Sequence, residues 1–451
     1  MSKQAQADAA PVERRTLYKA FTASLSGTAL EWYDFALYGA ATAVVFNKLF
    51  FPDDDPAMAT IKAFLTYAAG YISRPIGGIV FGRLGDRIGR KRVLVWTLVL
   101  IGAATFGIAF LPTYAQAGLW GPALLVLLRF LQGVGVGGEW GGAVLLSSEF
   151  SKPGERGLWA SAAQVGVPLG SVLANLVLIV MTATMPAEAF LSWGWRLAFG
   201  FSIVLVGFGL WIRHTLEETP VFQRLLERGE AAKAPVTEVL RTQGRALTGA
   251  ILCRVGPDVL YAFFAVFVLV WLKTGPNRLS DAEALTCTMV AGALQVVTMP
   301  FAGWLSDRTS RKWLYGTAAV AGGAWTFVFI AMTQTRSFGL ALLGVVLGLV
   351  CHSFMYAPQA AHIAEQFHAR LRYTGSSLAY TFAGIIGGGF APSVFAVLIA
   401  LAPNGYMVAG YVLLAAVVTL IGLAMGRRVV DEVDAVETVP AEQHAGHHAG
   451  H

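Results

Sequence analysis

Apolar runs of about twenty residues succeed one another from one end of this chain to the other, separated by short polar segments. At about 1.5 Å of rise per residue each run crosses a hydrocarbon core of about 30 Å as a helix. A chain of 451 residues that is 56% hydrophobic and 13% charged has too little polar surface to clothe a soluble globule, so lipid covers much of it. A β-barrel is excluded, because its strands would be shorter and alternating. The 50 glycines suit membrane helices, whose backbones approach closely where glycine stands. These features predict an all-α membrane protein.

Spans are expected near 20–46, 57–82, 92–111, 120–149, 157–183, 191–213, 246–272, 281–303, 313–333, 337–364, 373–401 and 405–426. The polar stretch 214–245 then divides two bundles of six, 20–213 and 246–426, flanked by tails 1–19 and 427–451. With both termini inside, 24 of the 33 Lys and Arg lie in cytoplasmic segments, which fixes the orientation and absorbs the net charge of +6 without any nucleic acid. Signs alternate through EETPVFQRLLERGE in the central stretch, the pattern of a solvated surface helix. The N-terminus is not a cleavable signal peptide, because its apolar stretch is long and contains Glu31 and Asp34. Cys253, Cys287 and Cys351 lack metal-ligand spacing and are expected to pack. The tail HAGHHAGH, residues 444–451, is a disordered or tag-like segment or a weak metal binder.

GRLGDRIGRK begins at Gly82 and GWLSDRTSRK at Gly303, 221 residues later, each after the second span of its half. Two matching halves imply internal duplication, with a solute site near the midplane between them. These loops, with LEWYDFALYG (30–39), RPIGG (74–78), LRFLQGVGVGGEWGGA (128–143), WGWRLAF (193–199) and RYTGSSLAY (372–380), resemble the metabolite:proton symporter family of the major facilitator superfamily. That family includes permeases for shikimate, alpha-ketoglutarate and citrate and proline/betaine transporters. The resemblance covers almost the whole chain, and the second loop departs from it at Ser310, where glycine is expected. It implies two pseudo-symmetric six-helix bundles working by alternating access. It also implies that Asp86, among Arg83, Arg87, Arg90, Lys91 and Arg92, latches the halves in the outward-facing state, with Asp307, Arg308 and Arg311 as a weaker counterpart. By the same resemblance Arg129 tunes protonation.

Charges inside spans are costly and need a reason. Glu31 and Asp34 stand three residues apart on one face, roughly 16 and 21 Å from the inner end of the first span. Desolvation there favours a neutral carboxyl group, suiting a reversible proton carrier; the alternative is a structural acid paired with an arginine such as Arg129. The glycines after Arg129 and Gln132 predict a close helix contact that presses Arg129 on neighbouring backbone or on the first span. Glu139, nearer the cytoplasm, is a gate ion pair or a second proton site. Arg254 and Asp258 are i and i+4 in the seventh span, about 12 and 18 Å deep. They form a helix-internal ion pair, or Arg254 forks a solute carboxylate that Asp258 holds or releases with protonation. Pro257 between them is expected to open the helix and free backbone groups toward a cavity. Gln164, Ser171 and Asn175 in the fifth span, and His352, Tyr356 and Gln359 in the tenth, make polar stripes for a cavity or for interhelical hydrogen bonds. Glu365 and His362 sit near the cytoplasmic end as interface residues. Arg196, after Trp193 and Trp195, is an outer-interface anchor or attracts solute.

The expectation is a monomeric carrier in a bacterial inner membrane that imports a small organic anion with a proton. No nucleotide-binding loop is present, so no cofactor is expected and the proton gradient supplies the energy. Symport of a zwitterionic osmolyte and efflux are the rivals within transport; the tail lacks the heptads of an osmosensing coiled coil. An enzyme or a non-transporting sensor is disfavoured, since no nucleophile motif, HExxH or cysteine–histidine cluster occurs.

Overall fold

The computed structural model describes residues 14–88, 90–149, 155–214, 235–368 and 371–427. Among them the helical segments line up as twelve rods. α1 is Arg14–Ala41 continued through Thr42–Phe46 and Asn47–Leu49; α2 is Pro56–Ile72 and Arg74–Ile88; α3 is Arg90–Ile108; α4 is Trp120–Glu149. α5 is Arg156–Gln164 and Gly166–Thr184, and α6 runs over 187–214 with a turn at Phe201. α7 is Gly244–Tyr261, Ala262–Phe267 and Val268–Thr274; α8 is Asp281–Arg308; α9 is Arg311–Thr333; α10 is Phe338–Ala364. α11 is Arg372–Gly384, Ile385–Gly389 and Ala391–Leu401, and α12 is Tyr406–Met425.

Among the described residues nine rods, α4 to α12, are long and apolar enough to cross a membrane by length and composition. The first three are diluted for visible reasons: α1 carries Glu31 and Asp34, α2 is interrupted at Ser73, and α3 begins Arg-Lys-Arg. A wide π turn occupies Thr42–Phe46 in α1 and another Ala262–Phe267 in α7, close to the 221-residue offset of the loop repeat, so the two halves share a backbone irregularity as well as a motif.

Glycine sets how closely the rods approach. A Cβ on Gly133 would stand 1.9 Å from the Gly70 carbonyl oxygen and one on Gly137 2.0 Å from that of Arg74, so α2 and α4 cross backbone to backbone. Ser310, the departure from the glycine pattern, is the N-cap of α9 and accepts from Trp313 N at 3.4 Å.

One expectation about local structure changes. Pro257 does not open α7 toward a cavity: the helix runs on through it, and the Cys253 carbonyl that proline leaves without an amide partner accepts instead from the Tyr315 hydroxyl at 2.7 Å. The stripe on α5 passes a turn at Val165 whose backbone stays in the right-handed helical region, and Gln164, Ser171 and Asn175 are all buried.

Candidate solute and proton sites

A small cavity lies between the halves. Trp32, Tyr67, Tyr71 and Arg74 line it from the first half; Arg254, Asp258, Tyr261, Ala262, Val266 and Gly388 line it from the second. Arg254 Nε donates to Asp258 Oδ2 at 3.0 Å, so the i,i+4 pair forms within α7, and Arg254 also stacks 3.9 Å over the Tyr380 ring. The glycine-rich turn Ile385–Gly389 of α11 lets these groups in: a Cβ on Gly387 would lie 2.7 Å from Asp258 Cβ, and one on Gly388 2.8 Å from the Tyr71 ring.

The stripe residues are buried beside this wall rather than on it. His352 is held between Tyr261 and Tyr356, ring centroids 5.0 Å away on each side, with Gln295 Nε2 3.0 Å from its Nδ1. Gln359 Oε1 accepts from Tyr315 at 3.4 Å, and Gln164 and Asn175 are buried. For His352 and Gln359 these contacts join helices, whereas both polar atoms of the Gln164 side chain make no hydrogen bond to a described residue.

Glu31 and Asp34 look to different neighbours. Asp34, 3% exposed, is linked to Arg129 through two intervening side chains. Its Oδ2 accepts from the Thr105 hydroxyl at 2.7 Å; Gln132 Nε2 donates to Thr105 Oγ1 at 2.6 Å; and Arg129 Nη1 donates to Gln132 Oε1 at 3.1 Å. Thr105 Oγ1 also lies 2.8 Å from the Ile101 carbonyl. This geometry accommodates both forms of the acid. When Asp34 is ionised, Thr105 donates to it. When Asp34 is protonated it donates to the second lone pair of Thr105, whose own proton turns to Ile101. Glu31 is buried and lies within electrostatic reach of Tyr356 in the other half.

Arg129, fully buried, is held by three rings: Phe35 at 3.8 Å, Tyr38 at 4.3 Å and Tyr67 at 4.7 Å from its guanidinium carbon. Gly70 makes the space, since a Cβ there would stand 2.7 Å from Arg129 Nε. Arg196 donates to the carbonyls of Ala109 at 3.0 Å and Leu111 at 2.6 Å, tying down the chain that leaves α3. It anchors that end and is not among the cavity residues.

At the end carrying the basic loops the halves are joined by Asp307. Its carboxylate accepts from Gly157 N at 2.8 Å and Leu158 N at 2.9 Å, capping α5 from the opposite half, while Arg311 bridges Asp307 at 2.7 Å and Glu365. Arg308 is exposed and stacks on Trp304 of its own helix at 3.9 Å. The side chains of Arg83, Asp86, Arg87, Arg90 and Glu139 lie outside the described part, as do EETPVFQRLLERGE and the histidine-rich tail. At the other end Lys273 donates to the Ala43 carbonyl across the halves at 3.3 Å and pairs with Asp281 at 2.5 Å. The two halves thus touch at both ends of the molecule.

The sequence reading assigned no role to Thr105 or to the cavity residues Trp32, Tyr67, Tyr71, Arg74 and Tyr261. One signal was present: Tyr67, Tyr71 and Arg74 are spaced 4 and 3 apart, one face of α2.

Twelve helices in two halves around a buried, charged cavity define a multi-pass membrane carrier. The chain belongs to the major facilitator superfamily, whose family profile matches residues 54–392 and 277–447. It is 38% identical over 399 residues to the shikimate transporter of Escherichia coli K12, covering 88% of this chain and 91% of that one. It is 36% identical to the inner membrane metabolite transport protein YhjE of the same organism, covering 86% and 88%. It is 31% identical to the proline/betaine transporter of Salmonella typhimurium LT2, covering 93% and 85%. The crystal structure of a D-xylose-proton symporter superposes with a TM-score of 0.73 at 20% identity, covering 92% of this chain and 98% of that one, a likeness of fold. The protein is therefore a secondary transporter of small molecules and not an enzyme.

Proposed function

We propose that this protein imports a small organic anion together with a proton across a bacterial inner membrane, by alternating access of its two halves. The observation that carries the coupling is the buried chain Asp34–Thr105–Gln132–Arg129, which satisfies the hydrogen bonds of Asp34 in either protonation state. The preference for an anion is supported by two cations facing the cavity, Arg74 from the first half and Arg254 from the second, against a single lining carboxylate, Asp258. Two of the four aromatic rings on the cavity, Tyr67 and Tyr71, already carry Arg129 and Arg74 on a face, which leaves a quaternary ammonium only Trp32 and Tyr261. The proton gradient is the energy source in this reading, with no cofactor.

The test is labelled uptake into proteoliposomes under an inward acidic gradient, with and without a protonophore. Asp34→Asn is expected to abolish gradient-driven uptake and spare counterflow, because exchange between loaded states releases no proton. Uptake driven by sodium alone, or equal loss of both activities in Asp34→Asn, would refute the coupling role.

A further inference from the structure

Arg74 on the cavity wall has two donors that are not spent. Arg74 opens the second piece of α2, directly after the interruption at Ser73, and is 6% exposed. Its backbone is pinned where α4 crosses at Gly137, and its guanidinium carbon lies 4.0 Å over Tyr71 and 4.7 Å over Phe35. Its Nε and Nη2 make no hydrogen bond to any described residue. Ring faces satisfy the charge but not these N–H groups, and a buried guanidinium keeps a demand for acceptors. Gly384 leaves room beside it, since a Cβ there would stand 3.8 Å from Arg74 Nη1. Facing it across the cavity are Arg254 and Asp258, already joined to each other.

We propose that Arg74 is the second jaw of the solute site. Resting on the anion-carrier function proposed above, it takes a carboxylate on its free N–H groups while Arg254 approaches from the other half, so that the solute itself spans the interface that must open and close. The charges on the wall name the solute class. Two arginines against one aspartate leave one positive charge uncompensated, which one carboxylate neutralises; a second carboxylate would enter a low-dielectric space with no cation left for it. The rest of the wall brings the ring faces of Trp32 and Tyr261 and the hydroxyl groups of Tyr67, Tyr71 and Tyr261, which fit a ring bearing polar substituents better than a flexible chain. The solute is thus a singly charged, ring-bearing organic acid.

Binding to the full chain in lipid nanodiscs, with no gradient, tests this separately from coupled transport. The probes are shikimate, quinate and benzoate as ring monoacids, the methyl ester of the tightest of them, succinate, citrate and glycine betaine, measured by calorimetry. The ring monoacids are expected to bind best and the ester at least about tenfold more weakly. Arg74→Lys keeps the charge but loses the planar fork, and is expected to weaken binding about tenfold at unchanged melting temperature, with Arg74→Gln weaker still. Wild-type affinity in Arg74→Gln, or in Arg74→Lys if the glutamine variant does not fold, would overturn the role of Arg74 and leave proton-coupled transport standing. Tighter binding of succinate or citrate, or no binding of any ring monoacid at millimolar concentration, would overturn the solute class. Tighter binding of glycine betaine would overturn the anion-carrier function itself.

Discussion

Removing the Asp307 carboxylate should release the junction at the basic-loop end. The group caps α5 across the halves through two amide hydrogen bonds of 2.8 and 2.9 Å, and the segment it caps packs so tightly that a Cβ on Gly303 would lie 2.5 Å from the Gly157 carbonyl oxygen. An N-cap is worth about 0.5–2 kcal/mol, and an ionised acceptor stands at the upper end of that range. A loss of about 2 kcal/mol present only when this end is closed shifts the open-to-closed ratio by roughly thirtyfold. Asp307→Asn, which keeps one acceptor, should give a smaller shift, and Arg311 retains Glu365 in either variant. The assay is the rate at which a membrane-impermeant maleimide labels Ser161→Cys, a position buried at the α5–α8 crossing, with the three native cysteines replaced. Asp307→Ala should raise that rate by up to the same factor. It should lower labelling of Val266→Cys, which packs against Gly39 near the opposite end. General loosening would raise both rates, and unchanged labelling at Ser161→Cys would refute the latch.

Gly133→Ala should lower the melting temperature or prevent accumulation in the membrane, because its Cβ would stand 1.9 Å from the Gly70 carbonyl oxygen and force α2 and α4 apart; Gly410→Ala, which meets nothing, should melt like the parent. Tyr315→Phe should cost about 1 kcal/mol in thermal unfolding by leaving the Cys253 carbonyl unpaired, and Pro257→Ala should recover most of that loss in the double variant by restoring an amide donor; additive losses would show that the hydroxyl does not serve the proline-freed carbonyl.

The twelve spans were legible because a hydrocarbon slab demands about twenty apolar residues from each helix regardless of its neighbours. Breaks within spans were not legible in the same way. The wide turn at Ile385–Gly389 lies where side chains of other helices must fit, as Tyr71 and Asp258 do against Gly388 and Gly387. Arg254 and Asp258 could be paired on paper, since four residues is one turn of helix. Asp34 and Thr105 are 71 residues apart, and spacing carries no information about such a contact. A threonine in a membrane helix usually returns its hydroxyl to its own backbone, as Thr105 also does toward Ile101, so nothing in the residue type marks it as a link between an acid and an arginine.

The solute wall and the buried acid are not independent, and one side chain explains why. Phe35, next in sequence to Asp34, presents its ring to two guanidiniums at once, Arg129 at 3.8 Å and Arg74 at 4.7 Å. Arg129 is tied to Asp34 through Gln132 and Thr105, whereas Arg74 opens on the cavity. The negative ring face stabilises both cations, but they repel each other across it in a region with little water to screen them. A carboxylate arriving at Arg74 reduces that repulsion, stabilising Arg129 and altering the field felt by Asp34 along the relay. A proton arriving at Asp34 removes a negative charge near Arg129 and leaves the pair of arginines less well compensated, which favours an anion in the cavity. If Asp34 carries the proton and Arg74 the solute, as proposed above, the two binding events reinforce each other through fixed neighbours before any helix moves, and the reinforcement is reciprocal, as linkage between two sites requires.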